Sequence, residues 1–250
     1  MEDPFWSDVL HEARMSTLEI AELKRLEQIV SRSRFIAQHG FNIERLKADP
    51  NVQRFLDLQF AIFETVSRIS GKPVLVDSSK AGPRAWILAC DARTTFVHLY
   101  RNPESVIASW RSRKFDKGLG TEMQRLSVPR AAVDWWKVEY SARKLAKQRT
   151  VAILDYDAMC HFPRETINKM LKFVGFNDLQ STAWLDTHTV QPGANYHSLN
   201  GNPDRFDQGP LRISARATDW SDYSLADRLS SQFAGRILAS VYRPLTQKRA

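Results

Sequence analysis

Apolar residues recur at helical spacing through the N-terminal part of the chain. In STLEIAELKRLEQIVSRSRFIAQH, residues 16–39, Leu18, Ile20, Leu23, Leu26 and Val30 mark one helical face, and Gly40 follows as a stop signal. Asp49-Pro50 predicts the start of a second helix, with Asp49 as N-cap and Pro50 at the first helical position. Phe55, Leu58, Ile62 and Val66 lie on its inward face, and Gly71-Lys72-Pro73 ends it. The pattern then changes in kind. Val74-Leu75-Val76 is a continuous apolar run, followed by helix-like residues 84–91 and by Thr95-Phe96-Val97-His98-Leu99-Tyr100. Strand, helix and strand in that order predict a βαβ unit of a parallel sheet. Such strands are covered on both faces, which accounts for their apolar, non-alternating sequence.

Asn102-Pro103-Glu104 supplies an N-cap, a proline at the first helical position and an acid in the first turn, so a helix runs from there to about Lys114. Residues 115–124, with Gly118 and Gly120, read as a mobile loop, and residues 128–148 as a long helix. Val151-Ala152-Ile153-Leu154 makes a third buried strand, and Phe162-Pro163-Arg164-Glu165 opens a helix closed by Gly175. Residues 191–210 hold too many glycines, prolines and asparagines for a regular element; a loop of that length in a compact domain is functional or disordered. A last helix over 224–242 is expected to bury Leu225, Leu229, Phe233, Ile237 and Val241. These elements make one α/β domain over residues 1–250, a parallel sheet flanked by helices, with no internal repeat.

Composition changes this picture little. With 43% hydrophobic and 26% charged residues the chain is an ordinary globular sequence, not a disordered or fibrous one. No apolar stretch reaches membrane-span length, and MEDPFWSDVLHEAR carries acids where a signal peptide carries basic residues, so a cytoplasmic location is expected. Cys90 and Cys160 are far apart in mixed surroundings and read as buried thiols; the histidines form no ligand pair, so no metal is expected. No Gly-x-Ser-x-Gly elbow occurs, which removes the common esterase reading. The net charge of +8 has a local concentration in Arg101, Arg111, Arg113 and Lys114 against Glu104. That grouping suits an anionic small molecule. The basic run from Lys137 to Arg149 reads as a solvated face, and no nucleic-acid partner is expected.

In open α/β sheets ligands gather at the carboxyl ends of strands. The predicted strands stop at Asp77-Ser78-Ser79-Lys80, at Arg101-Asn102-Pro103 and at Asp155-Tyr156-Asp157. Arg101, delivered to the first turn of a capped helix, makes an anion site from a guanidinium fork and the free N–H groups of the helix end. Ser105 and Ser109, four apart, share one face of that helix. The alternative is an ion pair between Arg101 and a surface acid, with both serines solvated.

These residues carry a resemblance. VDSSK at 76–80 followed by HLYRNPESVIASW at 98–110 resembles the sulfotransferases that use 3′-phosphoadenosine 5′-phosphosulfate (PAPS), and LDYD at 154–157, FPRE at 162–165, HSLNGNPDRF at 197–206 and Pro4-Phe5-Trp6 are similar to further segments of that family's bacterial-type members. Asp157-Ala158-Met159 departs from the family pattern. The resemblance implies a P-loop NTPase-like sulfotransferase fold and in-line transfer of a sulfuryl group from PAPS to a hydroxyl or amine of a small-molecule, glycan or lipid acceptor. It assigns the nucleotide's 3′-phosphate to Arg101 and Ser109, and a cofactor-facing loop to Gly201, Asn202 and Arg205. Asp77 takes the position of the general base, Ser79 that of a donor to sulfuryl oxygens, and Lys80 that of a cation for the bridging charge. Each has a plainer role: Asp77 caps the following turn, Lys80 is solvated, and His197 and Arg205 belong to a surface turn. Trp110, Trp135 and Trp136 read as core or acceptor-pocket wall.

One family feature has no counterpart. The strand and loop of the type G-x-x-R-S-G-T-T that hold the 5′-phosphosulfate do not occur in these 250 residues. The chain is therefore expected to lack the first strand of the fold and to be N-terminally incomplete relative to the family. Weak nucleotide binding through Arg101 with little or no sulfate transfer is expected of it. The alternative function is a non-catalytic nucleotide-binding relative that keeps the 3′-phosphate site alone.

Overall fold

The structure is a computed structural model that describes residues 4–79, 81–112, 115–116, 120–122, 124–176, 183–191, 209–215, 220 and 223–241. The chain divides into two compact units: Met1–Phe96 with Lys144–Thr150, and Val97–Arg143 with Val151–Ala250. It is an α/β structure, mostly helical, with a small two-stranded parallel sheet flanked by helices. No helix among the described residues is long and apolar enough to cross a membrane.

The first unit is helical. Its elements are α1 (Pro4–Glu12), α2 (Thr17–Val30), α3 (Ser33–Gln38), α4 (Ile43–Lys47), α5 (Pro50–Ser70) and α6 (Gly82–Leu88). Ser16 and Glu19 close a capping box on α2 by exchanging side-chain-to-backbone bonds. Asp49 caps α5 through the Asn51 N–H, and Gly71 ends it at a φ of +63°, a conformation that glycine adopts without steric cost. Leu26, Val30, Phe55, Leu58 and Trp86 are buried in the core of this unit. The segment 144–150 is tied in by three bonds to backbone carbonyls: Gln148 Nε2 donates to Phe41, and the two Arg149 Nη atoms donate to Ala89 and Thr94 at 2.7 and 2.9 Å.

Two expectations fail in this unit. The apolar periodicity of residues 16–39 does not run through one helix: the chain leaves helical geometry at Ser31-Arg32 and restarts, which turns Phe35 and Ile36 into the core. Packing overrides the local pattern there. The run Val74-Leu75-Val76 is not a strand, so there is no βαβ unit over 74–100. An apolar sequence becomes a strand only where a neighbour supplies backbone hydrogen bonds. None pairs with it among the described residues, and Val76 is 86% exposed.

The second unit contains β1 (Phe96–Tyr100, whose first residue is counted with the first unit), α7 (Pro103–Arg111), β2 (Phe115–Asp116), β3 (Thr121–Glu122), α8 (Val128–Leu145), β4 (Val151–Asp155), α9 (Tyr156–His161), α10 (Pro163–Phe173), β5 (Thr189–Val190), β6 (Leu211–Arg212) and α11 (Leu225–Val241). The parallel pair is β1 with β4, while β2–β3 and β5–β6 are short antiparallel pairs. Residues 115–116 and 120–122, expected as loop, hold the β2–β3 pairing, and Gly120 supplies a φ of +66° at the turn. The expectation of strands covered on both faces also fails, since Val97 and Leu99 on β1 are exposed.

The largest reversal concerns the last helix. Leu225, Leu229, Phe233, Ile237 and Val241 face outward at 47–71% exposure, while Ser231 and Gly235 are buried. A β-carbon at Gly235 would stand 2.7 Å from Cβ and 2.8 Å from Cα of Glu104, so α11 lies against the first turn of α7 at a distance only small residues allow. The bulky residues are left on the opposite face. Ile107, Val128 and Ala131 form the local core, with Trp110, Leu126, Ala234 and Leu238 packed on it.

Candidate functional site at the end of β1

The elements around Arg101 fix its backbone, and none of the described residues brings an acid to its side chain. Tyr100, buried at the end of β1, meets Trp135 edge to face at a centroid distance of 6.2 Å, and Trp135 Nε1 donates to the Arg101 carbonyl at 3.2 Å. On the next residue the Asn102 side chain caps α7 through the Glu104 N–H at 2.9 Å. Pro103 has no N–H to offer, and the Asn102 carbonyl takes that of Val106. The first turn of α7 is therefore largely satisfied by its own cap. Of the two expected sources of anion binding, free amides and guanidinium, the guanidinium carries the site.

Arg101 lies over the ring of Tyr156, 4.4 Å from its centroid. Tyr156 opens α9 directly after β4, so the carboxyl ends of the two paired strands converge on this cation. Arg101 Nε is buried and donates to no protein atom, and no carboxylate among the described residues comes within ion-pair distance of the guanidinium. The alternative, a surface ion pair, is not formed with any of the described residues. The Nε atoms of Arg111 and Arg143 are left in the same state, so Arg101 is set apart by its place at the carboxyl ends of the paired strands. Ser109 sits two turns along α7, half-buried, with its carbonyl accepting from Ser112 Oγ at 2.8 Å.

Beneath this corner is a buried pair that sequence reasoning missed: His98 Nε2 and Glu139 Oε1 stand 2.8 Å apart, with side chains 14% and 4% exposed. Burial and the nearby Glu139 and Asp155 carboxylates push the Tyr100 hydroxyl above its usual range. Tyr156 was placed at the carboxyl end of a predicted strand but given no role of its own. Trp135 is core, as expected; Trp136 is exposed and stacks on Tyr140.

Asp77 and Ser79 belong to the first unit, and Arg101 and Ser109 to the second. Asp77 accepts from the Ser79 N–H at 2.9 Å and from Arg84 Nε at 2.8 Å, which is the turn-capping alternative. Burial alone would raise its pKa; the bonds from Arg84 and Ser79 and the Arg84 charge outweigh that and hold it below the usual carboxylate range. A carboxylate so held is a weak base. Lys80, Gly201, Asn202 and Arg205 lie outside the described residues. Both cysteines are buried, and burial pushes the Cys90 thiol up to about 12.

No family model, curated protein or solved structure matches the chain. The functional reading thus stands on residues and geometry. A guanidinium beside an aromatic face, at the carboxyl ends of parallel strands, can take a phosphate.

Proposed function

We propose that the chain binds a 3′-phosphoadenosine nucleotide at the β1–α7 corner and belongs to the PAPS-dependent sulfotransferases, with the P-loop NTPase-like fold of that family. The observation that carries this reading is the Arg101 guanidinium, with no carboxylate in ion-pair distance among the described residues, at the carboxyl end of β1, where the motif HLYRNPESVIASW assigns the 3′-phosphate. Arg101 would hold that phosphate, Ser109 would add a hydroxyl, and Tyr156 limits the guanidinium to one face. In the transfer, the acceptor oxygen or nitrogen bonds to sulfur as the bond from sulfur to the 5′-phosphate oxygen breaks. The acceptor's proton passes to a base, and the nucleotide leaves as adenosine 3′,5′-bisphosphate.

A second reading, nucleotide binding without transfer, is favoured by Asp77. Its carboxylate is engaged by Arg84 and Ser79, which suits a structural cap better than a proton acceptor. Measurable sulfate transfer from PAPS that is lost in Asp77→Asn while nucleotide affinity is kept would decide for catalysis. Calorimetry with adenosine 3′,5′-bisphosphate tests both readings at once. Charge-assisted hydrogen bonds contribute about 1.5–3 kcal/mol, so Arg101→Ala is expected to weaken binding roughly 10–100-fold. The thermal transition should shift little, because among the described residues no acceptor loses a bond to that side chain and only its contact with the Tyr156 ring is removed. Equal affinity in the variant would remove Arg101 as the anchor.

A further inference from the structure

We infer that two copies of this chain associate through the outer face of α11. Leu225, Leu229, Phe233, Ile237 and Val241 repeat at an unbroken spacing of four along the helix, and all five are exposed. The opposite face is already used against α7, where Gly235 meets Glu104 and Tyr223 Oη donates to the Ala108 carbonyl. A helix apolar on both faces is one that needs cover on both.

Area and shape select the occupant. The five side chains expose on the order of 500 Å² of apolar surface, at the upper end of the largest patch on a typical monomer. Two copies of the row and its flanks bring on the order of 1,000 Å² or more together, the size at which a specific interface begins. Residues spaced by four form a ridge inclined about 26° to the helix axis, and two such ridges interdigitate when the helices cross at about 50°. A row of that kind is complementary to itself under a two-fold axis. Phe233 is its midpoint, so the axis passes beside Phe233 and each copy's ring packs on the other's. Of the three charges on the helix, Asp227 pairs with Arg111 at 2.6 Å, Arg228 lies 5.8 Å from the Trp220 ring centroid, and the exposed Arg236, three residues after Phe233, stands at the edge of the row.

Sedimentation velocity of the full chain at micromolar concentrations tests this. A species of twice the 28.7 kDa chain mass is expected, and Phe233→Glu should convert it to the monomer with an unchanged circular-dichroism spectrum. If Phe233→Glu fails to fold, Leu229→Lys takes its place with the same expected outcome. Phe233→Cys, in a chain whose own cysteines are both buried, should form a covalent dimer on mild oxidation. A wild-type monomer at every concentration, a dimer that survives both charged substitutions, or a monomer that instead sediments with neutral lipid vesicles would each overturn the inference.

Discussion

Arg84→Ala should destabilise the chain by about 3 kcal/mol and lower its thermal transition by roughly 6–12 °C. Arg84 is 9% exposed and uses its whole fork: Nε donates to Asp77 at 2.8 Å, Nη1 to Glu27 at 2.8 Å and Nη2 to Gln59 at 2.9 Å, and the cation faces the Phe55 ring. The three acceptors do not lose equally. Glu27 is half exposed and turns to water, whereas Gln59 is buried and Asp77 is partly buried, so those two are left with unmet acceptors. Arg84→Lys keeps the charge but cannot reach three acceptors in a plane, and should recover only part of the loss. The pH dependence has a definite sign. Asp77 has its pKa lowered in the folded chain, so its contribution is complete above the unfolded carboxylate range, about pH 4, and fades as pH falls through the lower folded value. Urea unfolding should therefore show the gap between wild type and Arg84→Ala narrowing in acid. A gap of equal size at pH 3 and pH 7 would mean that Asp77 has no part in it.

The same cluster shows how far the sequence could be read. Asp77 stands out because it ends an apolar run, yet its partner Arg84 lies one turn inside a helix and its other neighbours come from α2 and α5. Nothing in local spacing announces such a meeting. Caps were legible: Asp49, Asn102, Gly71 and Gly175 terminate helices where their side chains or left-handed backbone say they should. The corner at Arg101 was legible for the same reason, since a strand, an arginine and a capped helix follow one another in the chain. Its surroundings were not, because Tyr156 and Trp135 reach it across the sheet and from α8. Strand identity was the weakest inference. Val74-Leu75-Val76 and Val97-His98-Leu99 look alike in composition, and among the described residues only the second pairs with a neighbouring strand. The C-terminal helix was located but turned inside out, because periodicity marks an apolar stripe without saying that a glycine on the other face permits a closer approach.

That approach yields the most consequential substitution in the second unit. In an unconstrained helix, replacing glycine by alanine stabilises by about 1 kcal/mol. At position 235 the new β-carbon would meet the Cβ, Cα and N of Glu104 at 2.7, 2.8 and 2.9 Å, and two of these are backbone atoms that cannot swing aside. Overpacking of this kind costs about 1–3 kcal/mol, enough to reverse the propensity gain. Gly235→Val adds branching to the same clash and should reach about 3 kcal/mol, with α11 pushed off α7. The displaced atoms belong to the first turn of α7, which begins two residues after Arg101 and is held by the Asn102 cap. Gly235→Val should therefore lower the thermal transition and weaken adenosine 3′,5′-bisphosphate binding together, whereas Arg101→Ala weakens binding alone. The pair of measurements separates the anchor from its support. If Gly235→Val melts early yet binds the nucleotide as tightly as wild type, the α7–α11 contact stabilises the unit without positioning Arg101, and the site is held from β1 and α8 alone.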